Sequence, residues 1–343
     1  MSATLADVAE RAGVSVATAS RVLNGSSRSV KADLRSRVLA AAHDLRYVPN
    51  AHAQALVRER TAIVGVVVHD VSDPYFAEIM RGIQRIAGES RRLVMICNSY
   101  REPERELEYA RLLLAQRVEA LIMAGSGLDD RSYSQELTAQ IETFTAFGGQ
   151  VAFIGRHAVP GNAVIPDNAG GARAAGRMLV ELGHRHIGVI SGPQLLTATH
   201  DRLSGFRRGL QELGVELPPD QIEPGDFSRD GGMRAAHTLL DRHPEITALF
   251  ALNDVMAIGA LAALRERGLA VPEQISVVGF DDIPTARDVT PALTTVRVPM
   301  VELGERALQL ALTSPEAPSQ VEYLPTELVV RSSTAPPCPR PQR

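Results

Sequence analysis

Most of the chain repeats one pattern, in which a short run of apolar, β-branched residues is followed by an amphipathic helical stretch. The runs are AIVGVVV after Thr61, then RLVMICNS, VEALIMAG, VAFIG, HIGVISG, ITALFAL and ISVVGFDD. Buried parallel strands have continuous apolar sequences of this kind, because helices cover both faces of their sheet. The pattern predicts an α/β fold with two doubly wound parallel-sheet lobes. Such lobes commonly leave a ligand cleft between the carboxyl ends of their strands.

The segment before the first run predicts helices alone. Residues 4–25, TLADVAERAGVSVATASRVLNG, contain two helical stretches separated by Gly13, and Thr4 and Ser15 stand at their amino-terminal capping positions. Residues 31–45 place apolar side chains three to four positions apart, which predicts a third helix that covers the first two. The sequence therefore predicts an N-terminal all-α helix-turn-helix head, although two helices joined by a turn also occur as an ordinary helical hairpin.

The distribution of charge favours DNA binding by this head. Residues 1–60 contain nine Lys/Arg and five Asp/Glu and carry +4, whereas the whole chain of 343 residues carries −4. A basic module on an acidic body suits a protein that binds phosphates at one end. The amino-terminal residues of a recognition helix reach base edges, and Arg21 is the side chain best suited to a guanine. The candidate DNA contacts in the head are Thr4, Ser15, Val16, Ala17, Thr18, Ser20, Arg21 and Asn24.

The head and the following YVPNAHAQALVRERTAIVGVVV resemble the start of LacI/GalR family transcription regulators, and the resemblance extends to about residue 333. It implies a helix-turn-helix DNA-binding domain at 1–48, a hinge helix at 49–60 and an effector-binding body at 61–333. It also implies three crossings between the lobes, near residues 160, 290 and 322. The first lobe is then about 62–160 and 291–321, and the second about 161–290 and 322–332.

The hinge segment is too short to be a stable helix alone, because about three turns do not hold together in water. We expect it to fold only with DNA and a partner hinge present. The resemblance implies that Leu56 enters the minor groove as an apolar wedge that kinks the duplex. In the alternative interpretation, Leu56 packs on the body of its own chain. The hinge positions that the resemblance assigns to DNA are Asn50, Ala53, Gln54 and Leu56.

The final residues, PPCPRPQR, are proline-rich and contain no leucine heptad. We interpret residues 334–343 as a disordered tail. This favours a homodimer over a tetramer held by a C-terminal coiled coil.

The resemblance also places the effector site, at the ends of strands and in the loops that follow them. An aromatic side chain there can cover the face of a sugar, and an arginine can grip a carboxylate, a phosphate or vicinal hydroxyls. Each position has a structural alternative: helix-start core for the aromatics, helix caps for Asp254 and Asp282, and an ion pair of Arg202 with Asp201 or Asp230. The expected effector-binding residues are Asp73, Tyr75, Phe76, Ser126, Arg202, Phe227, Asn253 and Asp281.

Two departures from the family pattern bear on the effector. Gly155 stands at a strand end where many members carry Asp, which removes a hydroxyl acceptor. Leu196 stands where the purine-responsive relative carries an arginine, which makes a purine effector less suited to this chain. A sugar, a polyol or a sugar phosphate remains open, and the sequence does not distinguish an inducer from a corepressor.

Motifs of other protein classes are missing from the sequence. GSGLDD at 125–130 lacks the third glycine of a dinucleotide fingerprint, and neither a GxxxxGK[ST] loop nor a GxSxG elbow occurs. His184 and His186 could bind a metal in principle, but without nearby cysteines a turn at a lobe entry is the favoured interpretation. Cys97 and Cys338 are unsuited to a disulfide, as expected in a reducing cytosol. We therefore expect no enzyme, cofactor or metal.

The second rival class is an exported solute-binding protein, whose two-lobed body would look the same. The start MSATLADVAE lacks a basic segment followed by an apolar one, and no apolar run approaches the length of a membrane span. We predict a cytoplasmic, sequence-specific transcriptional regulator that binds double-stranded operator DNA as a homodimer, without a membrane. Repression, under control of a small-molecule effector in the cleft, is the commoner activity of such proteins.

Overall fold

The computed structural model describes residues 3–23, 30–48, 61–313 and 317–338. The chain forms two compact units, Met1–Ala62 with Gln116–Glu119, and Ile63–Ala115 with Ala120–Arg343. The first unit is the helical head, and the second is the α/β body. Five of the predicted DNA contacts lie outside the described residues, namely Asn24, Asn50, Ala53, Gln54 and Leu56.

The described residues of the head form three helices: α1 (Leu5–Ala12), α2 (Val16–Leu23) and α3 (Ala32–Asp44). Thr4 and Asp7 cap α1 reciprocally, because the Asp7 amide donates to the Thr4 hydroxyl at 3.3 Å and the Thr4 amide donates to the Asp7 carboxylate at 2.7 Å. Gly13 ends α1 in the left-handed region at φ 62°. The buried core of the head consists of Val8, Ala9, Ala12, Ala19, Val38, Ala41 and Ala42.

The first lobe of the body contains a sheet of six parallel strands. These are β1 (Ile63–Val68), β2 (Leu93–Asn98), β3 (Ala120–Ala124), β4 (Gln150–Ile154), β5 (Asn162–Pro166) and β11 (Val321–Leu324), in the order β11-β5-β4-β3-β1-β2. The helices of this lobe are α4 (Pro74–Glu89), α5 (Pro103–Ala115), α6 (Arg131–Ala146) and α11 (Met300–Ala311). Helices α4 and α11 approach so closely at Gly82 that an added Cβ would lie 2.0 Å from the Val301 carbonyl oxygen.

The second lobe contains four parallel strands: β6 (Ile187–Ser191), β7 (Ile222–Pro224), β8 (Ala248–Ala251) and β9 (Ser276–Val278), in the order β7-β6-β8-β9. Its helices are α7 (Asn168–Glu181), α8 (Thr197–Gln211), α9 (Arg229–Arg242) and α10 (Asp254–Glu266), with short 3-10 turns at Pro219–Gln221 and Pro284–Arg287. Strands β10 (Thr295–Arg297) and β12 (Glu327–Val329) form a separate antiparallel pair. Beyond β12 the chain still bonds to this lobe, since the Val277 amide donates to the Ser333 carbonyl at 2.8 Å and the Ala335 amide donates to the Ser276 hydroxyl at 3.1 Å. The prediction of a disordered tail from residue 334 is therefore wrong at its start, and residues 339–343 lie outside the described residues.

The chain passes between the lobes three times, and each crossing comes later than the resemblance implied. Strand β5 pairs with β4, so the first sheet continues to Pro166 rather than ending near 160. Residues 294–297 stay with the second lobe, because the Asp281 amide donates to the Val296 carbonyl at 2.8 Å. Strand β11 pairs with β5 as far as Leu324. Backbone hydrogen bonds fix these positions, and apolar periodicity does not reveal them.

The predicted α/β organisation with a helical head is confirmed. Among the described residues, no helix combines the length and the apolar character that a membrane span requires.

Candidate functional site

The described DNA-contact candidates lie around the start of α2. Val16, Ala17 and Arg21 are exposed, whereas Ala19 on the opposite face is buried in the head core. Ser15 caps the helix, because the Thr18 amide donates to its hydroxyl at 3.2 Å. Thr18 and Ser20 are half-buried, and Thr4 is exposed at the start of α1. The exposed face of α2 therefore presents small side chains at its start and one exposed guanidinium, that of Arg21, in its last turn.

A cleft between the two lobes of the body brings all eight expected effector-binding residues together. It encloses about 560 Å³ of empty space, part of which is open to solvent. Lobe one contributes side chains after β1 and β3, and lobe two contributes side chains after β8 and β9 and from α8. Pockets for small ligands have this position in doubly wound folds. The eight residues on its lining are Asp73, Tyr75, Phe76, Ser126, Arg202, Phe227, Asn253 and Asp281.

Arg202 on α8 is buried and held by three groups of its own lobe. Its Nε donates to Asn168 at 2.9 Å, Nη1 donates to the Leu252 carbonyl at 2.6 Å, and Nη2 lies 2.9 Å from Asp281 Oδ1. Its guanidinium also stacks 3.9 Å from the ring centroid of Phe280. The alternative in which Arg202 pairs with Asp201 or Asp230 is wrong.

Asp281 faces Arg202 from a strained backbone position, at φ 114°. Burial raises the pKa of its carboxyl to about 7, and the adjacent Arg202 opposes the rise. Oδ1 of Asp281 lies within ion-pair distance of Arg202, yet it has no well-aligned hydrogen bond among the described residues. This oxygen therefore keeps capacity to accept a hydrogen bond, because a carboxylate oxygen can accept more than one.

The neighbouring acidic residues have structural roles, but they are not the helix caps considered above. Asn253 caps α10 by accepting from the Met256 amide at 2.9 Å. Asp254 is buried instead, where it accepts from the Ile283 amide at 2.9 Å, and burial raises the pKa of its carboxyl. Asp282 pairs with Arg297 at 2.8 Å and with Arg331 at 2.5 Å. These contacts fix the loop that carries Asp281.

Aromatic rings from both lobes line the cleft. Tyr75 and Phe76 start α4, and their rings meet edge to face with centroids 5.1 Å apart. Phe76 is also part of the hydrophobic core, so this residue both packs in the core and lines the cleft. Phe227, at φ 65°, packs its ring over Gly192, where an added Cβ would lie 2.3 Å from a ring atom. The Asn253 side chain donates to the Phe227 carbonyl at 3.2 Å and holds this loop in place.

Arg101 is a cleft residue that the sequence analysis missed. It follows β2 at φ 62°, and its guanidinium lies 5.6 Å from the ring centroid of Phe227 on the other lobe. Its Nη2 lies 3.7 Å from Asp73, and its Nε is buried without a hydrogen-bond partner among the described residues. Burial lowers the pKa of this guanidinium, while Asp73 opposes the change. The signal available in the sequence was a charged residue in the loop that follows the end of β2 at Asn98.

A buried polar network lies beside the cleft in lobe one. Glu106 is 5% exposed, and it pairs with His69 at 3.2 Å and accepts hydrogen bonds from Ser99 and Tyr133. His69 reaches the cleft lining. Burial lowers the pKa of the neighbouring His157 to about 4, so this imidazole is neutral at pH 7. Through His69, the network forms a polar part of the lobe-one wall of the cleft.

The family departures noted above have clear local geometry. Gly155 adopts φ 96°, and an added Cβ would lie 2.6 Å from the Gly125 carbonyl oxygen, so this backbone excludes an Asp. Leu196 is 2% exposed and lies on the cleft lining. The cleft therefore has an apolar side chain where an arginine would favour a purine.

The histidines and cysteines form no metal site among the described residues. His184 is 1% exposed, and its two ring nitrogens contact the Thr247 hydroxyl at 2.9 Å and the Ala335 carbonyl at 3.0 Å. This places His184 at the entry to β6 as a structural residue. Cys97 and Cys338 are both free thiols.

Comparison with known proteins gives two family matches. Residues 4–50 match the bacterial regulatory proteins of the lacI family, and residues 177–334 match the periplasmic binding protein-like domain. The transcriptional regulator GalS of Salmonella typhimurium is 41% identical over 339 residues, which are 97% of this chain and 96% of GalS. The transcriptional repressor PurR of Escherichia coli is 35% identical over 338 residues, which are 97% of each chain.

Solved structures agree with these matches. The lac repressor dimer bound to operator and the anti-inducer ONPF superposes with a TM-score of 0.84 at 32% identity, over 98% of this chain and 100% of that chain. The complex of the regulator CelR with cellobiose has a TM-score of 0.71 at 33% identity, over 96% of this chain and 99% of that chain. These relatives are named as transcriptional regulators, and none of their names describes an enzyme.

Proposed function

The chain belongs to the LacI family of DNA-binding transcriptional regulators, and from that premise we propose that it is a homodimeric repressor controlled by an uncharged sugar. Its place of action is the cytoplasm, because operator DNA lies there. The head binds the operator, and the cleft of the body binds the effector. An enzyme built on the same two lobes is the alternative.

The observation that carries this proposal is the charge balance of the cleft. Arg202 lies 2.9 Å from Asp281, and Arg101 lies 3.7 Å from Asp73. The third guanidinium on the lining, Arg156, lies 2.7 Å from Asp201. Each of the three thus has a carboxylate beside it, and a phosphate would meet no uncompensated cation among them. A sugar or polyol matches the site better, because its hydroxyls can donate to Asp281 Oδ1 and accept from the Arg101 Nε–H, and neither atom has a hydrogen-bond partner among the described residues.

The walls of the cleft support the same class of effector. Tyr75 and Phe227 lie on the lining from different lobes, and aromatic faces suit the apolar C–H face of a sugar ring. Related structures that contain a sugar include the complex of CelR with cellobiose and a LacI family regulator from Enterococcus faecium with bound ribose. We assign this chain the same broad class and leave the individual sugar open.

A ligand screen tests the effector class. Thermal shifts would be measured with D-ribose, D-galactose, D-glucose, cellobiose and sorbitol, and with the phosphates of the three monosaccharides. We expect a neutral sugar to raise the melting temperature more than its phosphate does. A phosphate that stabilises the protein strongly, while its parent sugar does not, would overturn the assignment.

The exposed face of α2 supports direct operator recognition. Val16 and Ala17 can contact thymine methyl groups but donate no side-chain hydrogen bond, whereas Arg21 can donate two to a guanine. The choice of operator sequence then depends on Arg21, on Thr18 and on the shape of the DNA grooves. Binding of duplexes from the protein's own genomic neighbourhood would be followed by fluorescence anisotropy, with a scrambled duplex as control. An enzyme or a solute-binding protein would form no sequence-selective complex.

The hinge contributes through Leu56, which we propose to insert into the minor groove. Replacing Leu56 with Ala removes the apolar wedge, and operator affinity should fall while the melting temperature of the body stays unchanged. Unchanged affinity in anisotropy would favour the interpretation in which Leu56 packs on its own chain.

A homodimer is supported by an exposed apolar edge of the first sheet. Strand β2 is an edge strand, and Leu93, Met95 and Ile96 are 73%, 39% and 38% exposed. Such edges are normally covered or charged in monomeric proteins. Leu93→Glu should shift sedimentation toward the monomer, whereas Phe147→Glu, at a residue that is 78% exposed on another element, should not. Equal sedimentation of the Leu93→Glu variant and the unmodified protein would place the dimer surface elsewhere.

A further inference from the structure

The two lobes are hydrogen-bonded directly to each other beside the cleft. Residues 127–129, between β3 and α6, lie antiparallel to residues 195–197, between β6 and α8. The Asp129 amide donates to the Leu195 carbonyl at 2.8 Å, and the Thr197 amide donates to the Gly127 carbonyl at 2.9 Å. A short β-bridge therefore joins the lobes through backbone atoms alone.

A bidentate ion pair reinforces this bridge. Arg156 follows β4 in lobe one, and Asp201 lies on α8 in lobe two. Nε of Arg156 donates to Asp201 Oδ2 at 3.1 Å, and Nη2 donates to Oδ1 at 2.7 Å. The Thr197 hydroxyl also donates to the Arg156 carbonyl at 2.8 Å. Two parallel hydrogen bonds fix the relative orientation of the lobes more tightly than a single contact would.

The bridge also buries apolar surface. Leu128 and Leu196 stand opposite each other in it and are only 6% and 2% exposed. Separation of the lobes at this edge would break the backbone bonds and the ion pair, and it would expose both leucines to water. By contrast, the Arg202–Asp281 pair lies within lobe two and does not oppose opening.

We propose that this set of contacts, residues 127–129 and 195–197 with the Arg156–Asp201 pair, is an interlobe clamp that sets how often the effector-free cleft is closed. This role rests on the proposed function, because it concerns regulation of the same cleft. The apparent dissociation constant of a ligand that prefers closed lobes rises as the closed fraction falls. The clamp therefore tunes effector affinity, and through it the response of DNA binding.

The test compares Arg156→Gln with Arg173→Gln. The control removes an exposed pair of similar geometry, in which Arg173 Nε donates to Glu212 at 2.9 Å, but that pair lies within lobe two. The two free cysteines are first removed by Cys97→Ala and Cys338→Ser, and spin labels are then attached to cysteines introduced at the exposed positions Glu142 and Gln211. Pulsed electron paramagnetic resonance reports the distance between the labels, and so between the lobes. We expect Arg156→Gln to broaden this distance distribution toward longer values in the effector-free protein, and Arg173→Gln to leave it unchanged.

The charge swap Arg156→Asp with Asp201→Arg should restore the short distance, which a general loss of stability would not do. For a sugar that binds the unmodified protein, Arg156→Gln should weaken binding about two- to fivefold in calorimetry. An effector-free distance distribution identical to that of the unmodified protein would overturn the clamp. If no sugar binds the unmodified protein, the proposed effector class fails, and the distance measurement still decides the role of the clamp.

Discussion

At the scale of single residues, the cleft depends on side chains whose partners the sequence indicated only in part. Motif positions such as Arg202 and Asp281 could be expected in one cleft, because the family resemblance assigns both to the effector site. The hydrogen bonds of Arg202 to Asn168 and to the Leu252 carbonyl could not, since they depend on how α7 and β8 pack. Arg101 was missed because its place in the cleft depends on left-handed backbone at Arg101, not on a motif.

Replacing Arg202 with Ala should abolish sugar binding and lower stability. The change removes three anchoring contacts and leaves Asp281 buried without its cation, and breaking a buried pair costs on the order of 3 kcal/mol. Arg208→Ala, on the same helix but at an exposed position, is the matched control. Calorimetry and thermal melting would check this expectation, and sugar binding of equal strength in both variants would remove Arg202 from the site.

The raised pKa of Asp281 predicts a pH-dependent site. A carboxyl with a pKa of 3.8 when unfolded and about 7 when folded binds a proton only in the folded protein between those values, so its contribution to stability falls as pH rises from about 4 to about 7. A sugar hydroxyl that donates to this group prefers the ionised form. Sugar affinity should therefore increase from pH 6 to pH 8, and the increase should disappear in Asp281→Asn. An unchanged pH profile in that variant, measured by calorimetry, would contradict the assignment.

At the scale of helices and strands, most elements could be predicted from apolar periodicity and caps, but their ends could not. Thr4 caps the start of α1 and Gly13 caps its end, as the sequence predicts. The three lobe crossings differ, because β5 and β11 continue pairing beyond the expected boundaries. Strand pairing is a contact between distant segments, and a single sequence does not specify where it stops.

Gly13→Ala tests the helix-turn-helix as an element. At φ 62° a side chain costs about 1–2 kcal/mol, and an added Cβ would also lie 2.6 Å from the Arg37 guanidinium. We expect operator affinity to fall while the melting transition of the body is unchanged. Gly88→Ala is the control, since its added Cβ meets no atom within 4 Å and its backbone is helical. Calorimetric melting and anisotropy would check both variants, and equal operator affinity of the two would contradict the expectation.

At the scale of the whole molecule, DNA affinity should depend steeply on salt, because the basic head sits on an otherwise acidic chain. A protein that makes about 6–10 phosphate contacts loses roughly 10³- to 10⁵-fold in affinity between 50 and 200 mM salt. Anisotropy titrations at several salt concentrations would give the slope, and Arg21→Ala should reduce discrimination at one base position. A flat salt dependence would be inconsistent with the head as the DNA-binding part.

The order of synthesis along the chain determines which part of the nascent protein can fold first. Lobe one needs β11 for its sheet, and lobe two needs Ser333 against Val277 and Ala335 against His184. Synthesis must therefore run past Leu324 before lobe one has all of its strands, and past Ala335 before lobe two has all of its partners, whereas α1, α2 and α3 of the head are complete much earlier. On a translating ribosome, the helices of the head would be complete while the body with its cleft is still unfinished.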